Sequence, residues 1–116
     1  LLFLSGVGPR TANSDTNDSA VPGLELDHNG NFISFDFEAQ CHSVFQNIKI
    51  ILEESGSSWE NLVDVTVFLV NMKRDFQTYN KIYAQYFKDN QPCRTTVAID
   101  SLPTPIAIEL KCIATI

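Results

Sequence analysis

The sequence predicts an α+β domain in two layers, with helices packed on one face of a mixed sheet. Two patterns carry that prediction. Apolar residues recur at helical spacing over 37–52 and again over 76–87, while strand-length segments rich in β-branched side chains lie before, between and after them. Size agrees: 116 residues, 44% of them hydrophobic, suffice for one core without disulfides or metal, so residues 1–116 are expected to form a single domain.

Taken in order, residues 1–5 read as a buried opening strand that stops at Gly6-Val7-Gly8-Pro9. Residues 11–23, rich in Asn, Asp, Ser and Thr, read as a mobile surface loop. Asp27-His28-Asn29-Gly30 signals a turn, with Asn29-Gly30 suited to positive φ, and a short strand follows over 31–35. Phe37, Cys41, Val44, Phe45, Ile48, Ile51 and Leu52 then share one helical face, with Asp36 as N-cap and Gly56 as the left-handed stop. Strand 62–71 carries apolar residues on both faces, as a central strand does. Asp75 is read as the cap of a second helix over 76–90, burying Phe76, Tyr79, Tyr83, Tyr86 and Phe87 and broken by Gln91-Pro92. Strand 94–100, a turn at Leu102-Pro103-Thr104-Pro105 and strand 106–116 complete the order β-β-α-β-α-β-β. The sheet face away from the helices still holds apolar side chains, so other subunits are expected to cover it. The chain opens without Met inside an apolar strand, and a truncated N-terminal strand is expected.

Charge and cysteine usage exclude several function classes. The net charge is −6, and the eight cations are scattered, which argues against a nucleic-acid partner. Three cysteines, an odd number without CxxC spacing, support neither a disulfide scaffold nor a zinc site, and free thiols suit a reducing, cytoplasmic compartment. No apolar run approaches the roughly 20 residues of a membrane span. No Gly-rich phosphate loop, nucleophile elbow or zinc signature is present.

Few residues invite chemistry. His28 and His42 lack partners at ligand spacing and read as structural or solvent-facing, and Trp59 reads as packing or a subunit contact. Arg94 and Glu109 differ, because each interrupts an apolar strand. A guanidinium grips carboxylates through a planar fork, and a strand-held Glu can orient or deprotonate water. The same residues also fit plain structural roles, an Arg paired with a nearby acid and a Glu109–Lys111 pair on one strand face.

Phe3-Leu4-Ser5-Gly6, Ala39-Gln40, Asn47-Ile48, Val67-Phe68-Leu69, Tyr79-Asn80, Pro92-Cys93-Arg94-Thr95-Thr96-Val97 and Ile108-Glu109-Leu110-Lys111-Cys112-Ile113-Ala114 together resemble the RidA (YjgF) family of enamine/imine deaminases, in order and nearly end to end. Gly23-x-Glu25-x-Asp27, Phe68-Leu69-Val70-Asn71-Met72, Arg94-Thr95-Thr96-Val97-Ala98 and the polar loop after Arg10 look most like its 2-aminomuconate deaminase branch. The resemblance implies a chorismate-mutase-like fold, a homotrimer with sites between subunits, and cofactor-independent hydrolysis of C=N bonds. By position, Arg94 would hold the substrate carboxylate and Glu109 the attacking water, with Ser5, the Gly6 backbone and Asn80 lining the pocket. Thr96 stands where the family usually has Cys, and the family's pocket Tyr falls upstream of Leu1. Arg10 is the candidate second cation for a dicarboxylate such as 2-aminomuconate. Rival readings are a general 2-iminoacid deaminase and a non-catalytic trimer that binds small carboxylates. A ribonuclease, also linked to this family, is disfavoured by the acidic charge and the missing His pair.

Overall fold

A computed structural model of the chain describes residues 1–11, 21–103 and 105–116. Among these, the order is β1 (Leu2–Phe3), β2 (Leu24–Leu26), β3 (Phe32–Phe35), α1 (Phe37–Glu54), a 3-10 turn at Trp59–Asn61, β4 (Leu62–Leu69), α2 (Met72–Tyr86), β5 (Cys93–Ala98) and β6 (Ile108–Ala114). The main sheet runs β1-β6-β4-β5, with β4 parallel to β5 and antiparallel to β6. Two helices over a mixed sheet are what the periodicities predict, and β4 is central.

The helices cover one face of that sheet. Val65, Val67 and Leu69 of β4 and Ile108, Leu110, Cys112 and Ala114 of β6 are all fully buried there. α1 lays Phe37, Gln40, Cys41, Val44, Phe45, Ile48 and Leu52 against them. Each of Phe37, Val44, Phe45, Ile48 and Leu52 taken from water contributes about 1.5–3 kcal/mol. Asp36 caps α1 by accepting from the Ala39 N–H at 3.1 Å. Gly56 at φ +81° lets the chain turn back, and Ser57 N–H reaches Leu52 O at 2.8 Å. Trp59 packs, as read: it stacks on Phe87 at 4.7 Å and donates to Tyr86 O at 3.0 Å.

Several expectations are corrected. β2 is an extra strand, and among the described residues it pairs only with β3, in a hairpin separate from the main sheet. Three residues carry too little alternation to be read as a strand. The hairpin turn is as predicted: Gly30 sits at φ +83°, and Asp27 Oδ1 accepts from the N–H groups of Asn29 and Asn31. Those bonds hold the Asp27 carboxyl below its usual range. The opening strand is not buried throughout; Leu1 and Phe3 are exposed and Leu4 is in the core. α2 starts four residues before the expected Phe76, because Asn71 rather than Asp75 caps it, accepting from Arg74 N–H at 3.1 Å. Asp75 instead lies buried in the first turn, held by Arg74 through two contacts of 2.7 Å. α2 also ends at Tyr86, ahead of the Gln91-Pro92 break. Ile51 faces outward and Gln40 inward, where its Oε1 accepts from Ala107 N–H at 2.8 Å. Val63 is exposed because a bulge between Leu62 and Asp64 shifts the alternation. The strands of 94–100 and 106–116 are shorter by a few residues, at Cys93–Ala98 and Ile108–Ala114. The polar loop expected over 11–23 falls at 12–20 outside the described residues, as does Thr104 of the expected turn.

Candidate active site

The register of the sheet separates the two residues that the sequence singled out. In β5, Arg94 pairs with Val65 and Thr96 with Val67, so both point to the helix-covered face. In β6, Glu109 pairs with Phe68 and points to the opposite, open face. β4 lies between them, which sets them roughly 10 Å apart across the sheet before the offset along the strands is added. One copy of the chain therefore holds the two candidate residues on opposite faces of its sheet, as two candidate half-sites.

The Arg94 half is built by α2. Arg94 Nη1 donates to Asn80 Oδ1 at 2.9 Å, and the guanidinium carbon lies 4.7 Å from the centre of the Tyr83 ring and 5.7 Å from that of Tyr79. Burial pushes the Tyr83 hydroxyl upward in pKa, with the Arg94 charge pulling it partly back. Burial likewise raises Tyr79, whose hydroxyl, like that of Thr96, has no hydrogen-bond partner among the described residues. Thr96 thus puts a buried hydroxyl on the helix-covered face of the sheet.

The Glu109 half is built by a bulge. Leu4 N–H bonds Cys112 O at 3.0 Å, and Val7 and Leu110 exchange bonds of 2.7 and 2.9 Å, which leaves Ser5 and Gly6 together opposite Lys111. That bulge brings Gly6 against the Glu109 carboxylate: a Cβ at Gly6 would lie 2.8 Å from Oε2. Ser5 and Gly6 are both exposed. Glu109 also lines a cleft of about 180 Å³ with Gly8, Pro9, Arg10, Pro103 and Ile106. Arg10 borders a second cleft of about 280 Å³ as well, with Gly6, Asn47, Ile50 and Ile51 among its walls. The segment is tied to α1: Ser43 Oγ donates to Pro9 O at 2.6 Å, and Asn47 Nδ2 to Gly8 O at 3.0 Å and Arg10 O at 2.6 Å.

Among the described residues the structural roles first open to Arg94 and Glu109 are not taken up. Lys111 Nζ donates to Leu4 O at 3.0 Å instead of pairing with Glu109. Among the described residues neither Arg94 nor Glu109 enters an ion pair. Both histidines follow their structural reading: His28 is exposed in the hairpin turn, and His42 Nδ1 lies 2.6 Å from Tyr86 OH. Among the described residues no three His, Cys, Asp or Glu side chains converge as a metal site would need. No helix among them is long and apolar enough to cross a membrane. The sequence reading did not single out Tyr83, Ser43 or Asn47 for the site: Tyr83 was read as a buried helix position and Asn47 only as part of a family block. The detectable signal for Tyr83 was its spacing, three residues after Asn80 on the helix that packs over β5.

Three comparisons bear on this geometry. A family model described as Endoribonuclease L-PSP matches residues 1–116. Reactive Intermediate Deaminase A, chloroplastic, of Arabidopsis thaliana is 39% identical over 98 residues, 84% of this chain and 51% of that protein. The chain spans about half to two thirds of the length of several curated relatives. Among solved structures, YyfA of Yersinia pestis, a protein of the conserved Rid family, superposes with a TM-score of 0.75 at 29% identity, covering 98% of this chain and 79% of its own. E. coli TdcF, solved with bound serine, gives a TM-score of 0.74 at 26% identity, covering 97% and 77%.

Proposed function

The chain belongs to the RidA/YjgF family, described in its family model as endoribonuclease L-PSP, and on that premise we propose that it hydrolyses enamine/imine carboxylic acids to oxo acids and ammonia in sites shared between copies of a homotrimer. The observation that carries this reading is the division of Arg94 and Glu109 between opposite sheet faces. Neither half can act on one small molecule with the other half of its own chain, whereas two copies can bring them together. The open face, with Phe3 exposed and Phe68 and Ile113 half-buried, supports such an assembly. TdcF holds serine, a small amino acid, and that supports a small carboxylate as ligand here.

The chemistry asks little of the protein. The enamine takes a proton at carbon and becomes an imine. Water then forms a C–O bond at the C=N carbon, a proton passes to nitrogen, the C–N bond breaks and ammonia leaves. Arg94 of one copy grips the carboxylate, and Glu109 of another holds the water and takes its proton. Ser5, the Gly6 backbone, Asn80 and Thr96 line the space between. For the substrate itself we favour 2-aminomuconate over small 2-imino acids, because Arg10 shares a cleft with Glu109 and could meet a second carboxylate. The family model's name invites a ribonuclease reading, but a net charge of −6 and two histidines on separate elements speak against it. Three free cysteines fit a reducing compartment, which we take to be the cytoplasm.

The test is direct. Ammonia release is followed with 2-aminomuconate and with 2-iminobutanoate, each generated in situ, alongside light scattering. Turnover by a species of three chains is the expected result. A monomer at micromolar concentration, or carboxylate binding without turnover, would overturn the reading, the second in favour of a binding protein.

A further inference from the structure

We propose that Tyr83 is a positioning residue for Arg94, setting the plane in which the guanidinium meets a substrate carboxylate; the proposal rests on the deaminase reading above. An arginine side chain swings about four single bonds, and bidentate recognition works only if its fork lies in the plane of the incoming carboxylate. Asn80 restrains it at one atom, Nη1, through the 2.9 Å bond to Oδ1. A single bond of that kind leaves the group free to pivot. The ring of Tyr83, 4.7 Å from the guanidinium carbon, supplies the missing restraint: a cation over an aromatic face is attracted to it, and the ring blocks rotation out of plane. Asn80 and Tyr83 stand three residues apart on α2, so one helical face delivers both contacts.

The ring is itself held. Tyr83 stacks on Phe87 at 4.3 Å with 27° between planes and touches Tyr79 at 5.7 Å, so it cannot easily follow a moving arginine. Arg94 Nε and Nη2 make no hydrogen bond among the described residues. Those donors are the ones a ligand carboxylate would take. Tyr83 need not touch the substrate to matter; it acts through Arg94.

The experiment uses the full chain and two readouts: calorimetric binding of 2-oxobutanoate, a monocarboxylate that cannot be deaminated, and turnover of 2-iminobutanoate. Tyr83→Phe keeps the ring face and should stay within about twofold of wild type, whereas Tyr83→Leu should weaken 2-oxobutanoate binding about 5- to 30-fold. KM should rise with it while kcat changes little. Because Tyr83→Leu also disturbs the stack with Phe87, a second series places mono-, di- and trifluorinated phenylalanine at 83, which keeps shape but drains the ring face of negative charge. A stepwise fall in affinity along that series supports the proposal; a flat series, with wild type both binding and turning over, overturns it. If wild type neither binds 2-oxobutanoate nor turns over 2-iminobutanoate or 2-aminomuconate, the deaminase reading falls and this proposal falls with it.

Discussion

The two half-sites are built by opposite means. Arg94 stands under a helix and is held by side chains, an amide at 2.9 Å and an aromatic face at 4.7 Å. Glu109 stands at a strand bulge and is shaped by backbone: the missing Cβ of Gly6 leaves room for its carboxylate, and two clefts flank the segment that follows. The difference matches the work proposed for each. A group that grips a carboxylate must keep one orientation, so it profits from rigid contacts. A group that passes a proton must reach water, so it profits from open space on one side and tight packing on the other.

The largest effect should come from Glu109→Gln, which keeps the shape and removes the base. Its kcat should fall about 10²- to 10⁴-fold, with much less change in the affinity for 2-oxobutanoate. Equal losses in both would turn the Glu109 half into a mere binding surface. Arg94→Ala should follow, losing about 30- to 1,000-fold in kcat/KM and a comparable factor in binding. Arg94→Lys should recover only part, since an ammonium lacks the fork. The two variants also test the division itself. Unfolded together and refolded as a mixture, they should regain about a quarter of wild-type activity, because random assortment pairs an intact Arg94 half with an intact Glu109 half at one shared site in four. A mixture as dead as its parents would mean that each site uses both residues of one chain.

Much of this was legible before any coordinates. Helical spacing located α1 to the residue at its start, since Asp36 both caps and is seen to cap. The alternation in β4 announced a central strand. α2 was misplaced by a turn because Asn71 and Asp75 are both plausible caps, and only the burial of Asp75 against a half-exposed Arg74 decides between them. Arg94 and Glu109 stood out as charges in apolar strands. Their assignment to different faces did not, because facing depends on the register between β4, β5 and β6, which one strand's sequence does not contain. Tyr83 was read as core, and it is half core: one ring face packs on Phe87 while the cation sits 4.7 Å from its centre.

A smaller effect would probe the Glu109 half without touching its charge. In Gly6→Ala the new Cβ would lie 2.8 Å from Glu109 Oε2 and 3.0 Å from Cδ. The obstruction is the end of a flexible side chain, so the fold should adjust and stability should change by no more than about 0.5 kcal/mol. The carboxylate, however, must move. Displacements of that order cost up to about 10²-fold, so kcat should drop about 10- to 100-fold with Tm nearly unchanged. The equivalent intrusion at the Arg94 half has no counterpart, because side chains rather than backbone shape it. An unchanged kcat in a well-folded Gly6→Ala protein would show that the position of Glu109 does not limit the reaction.

The smallest effect separates the two substrates and concerns Arg10. Aminomuconate carries carboxylates at both ends of a six-carbon chain, while 2-iminobutanoate carries one. If Arg94 of one copy takes the first, the second reaches the Glu109 half, where Arg10 lies in the same cleft as Glu109, its backbone oxygen fixed by Asn47 at 2.6 Å. A cation there adds little for a substrate that ends short of it. Arg10→Ala should therefore lose about tenfold in kcat/KM on aminomuconate, about 1.4 kcal/mol of transition-state binding, and stay close to wild type on 2-iminobutanoate. Both measurements belong in one buffer at low ionic strength, where a charge–charge contribution is least screened. The contrast between substrates is what counts, because a general disturbance of the segment would lower both rates together. Equal losses, or none, would remove Arg10 from the site and leave the Glu109 half fitted to small 2-imino acids.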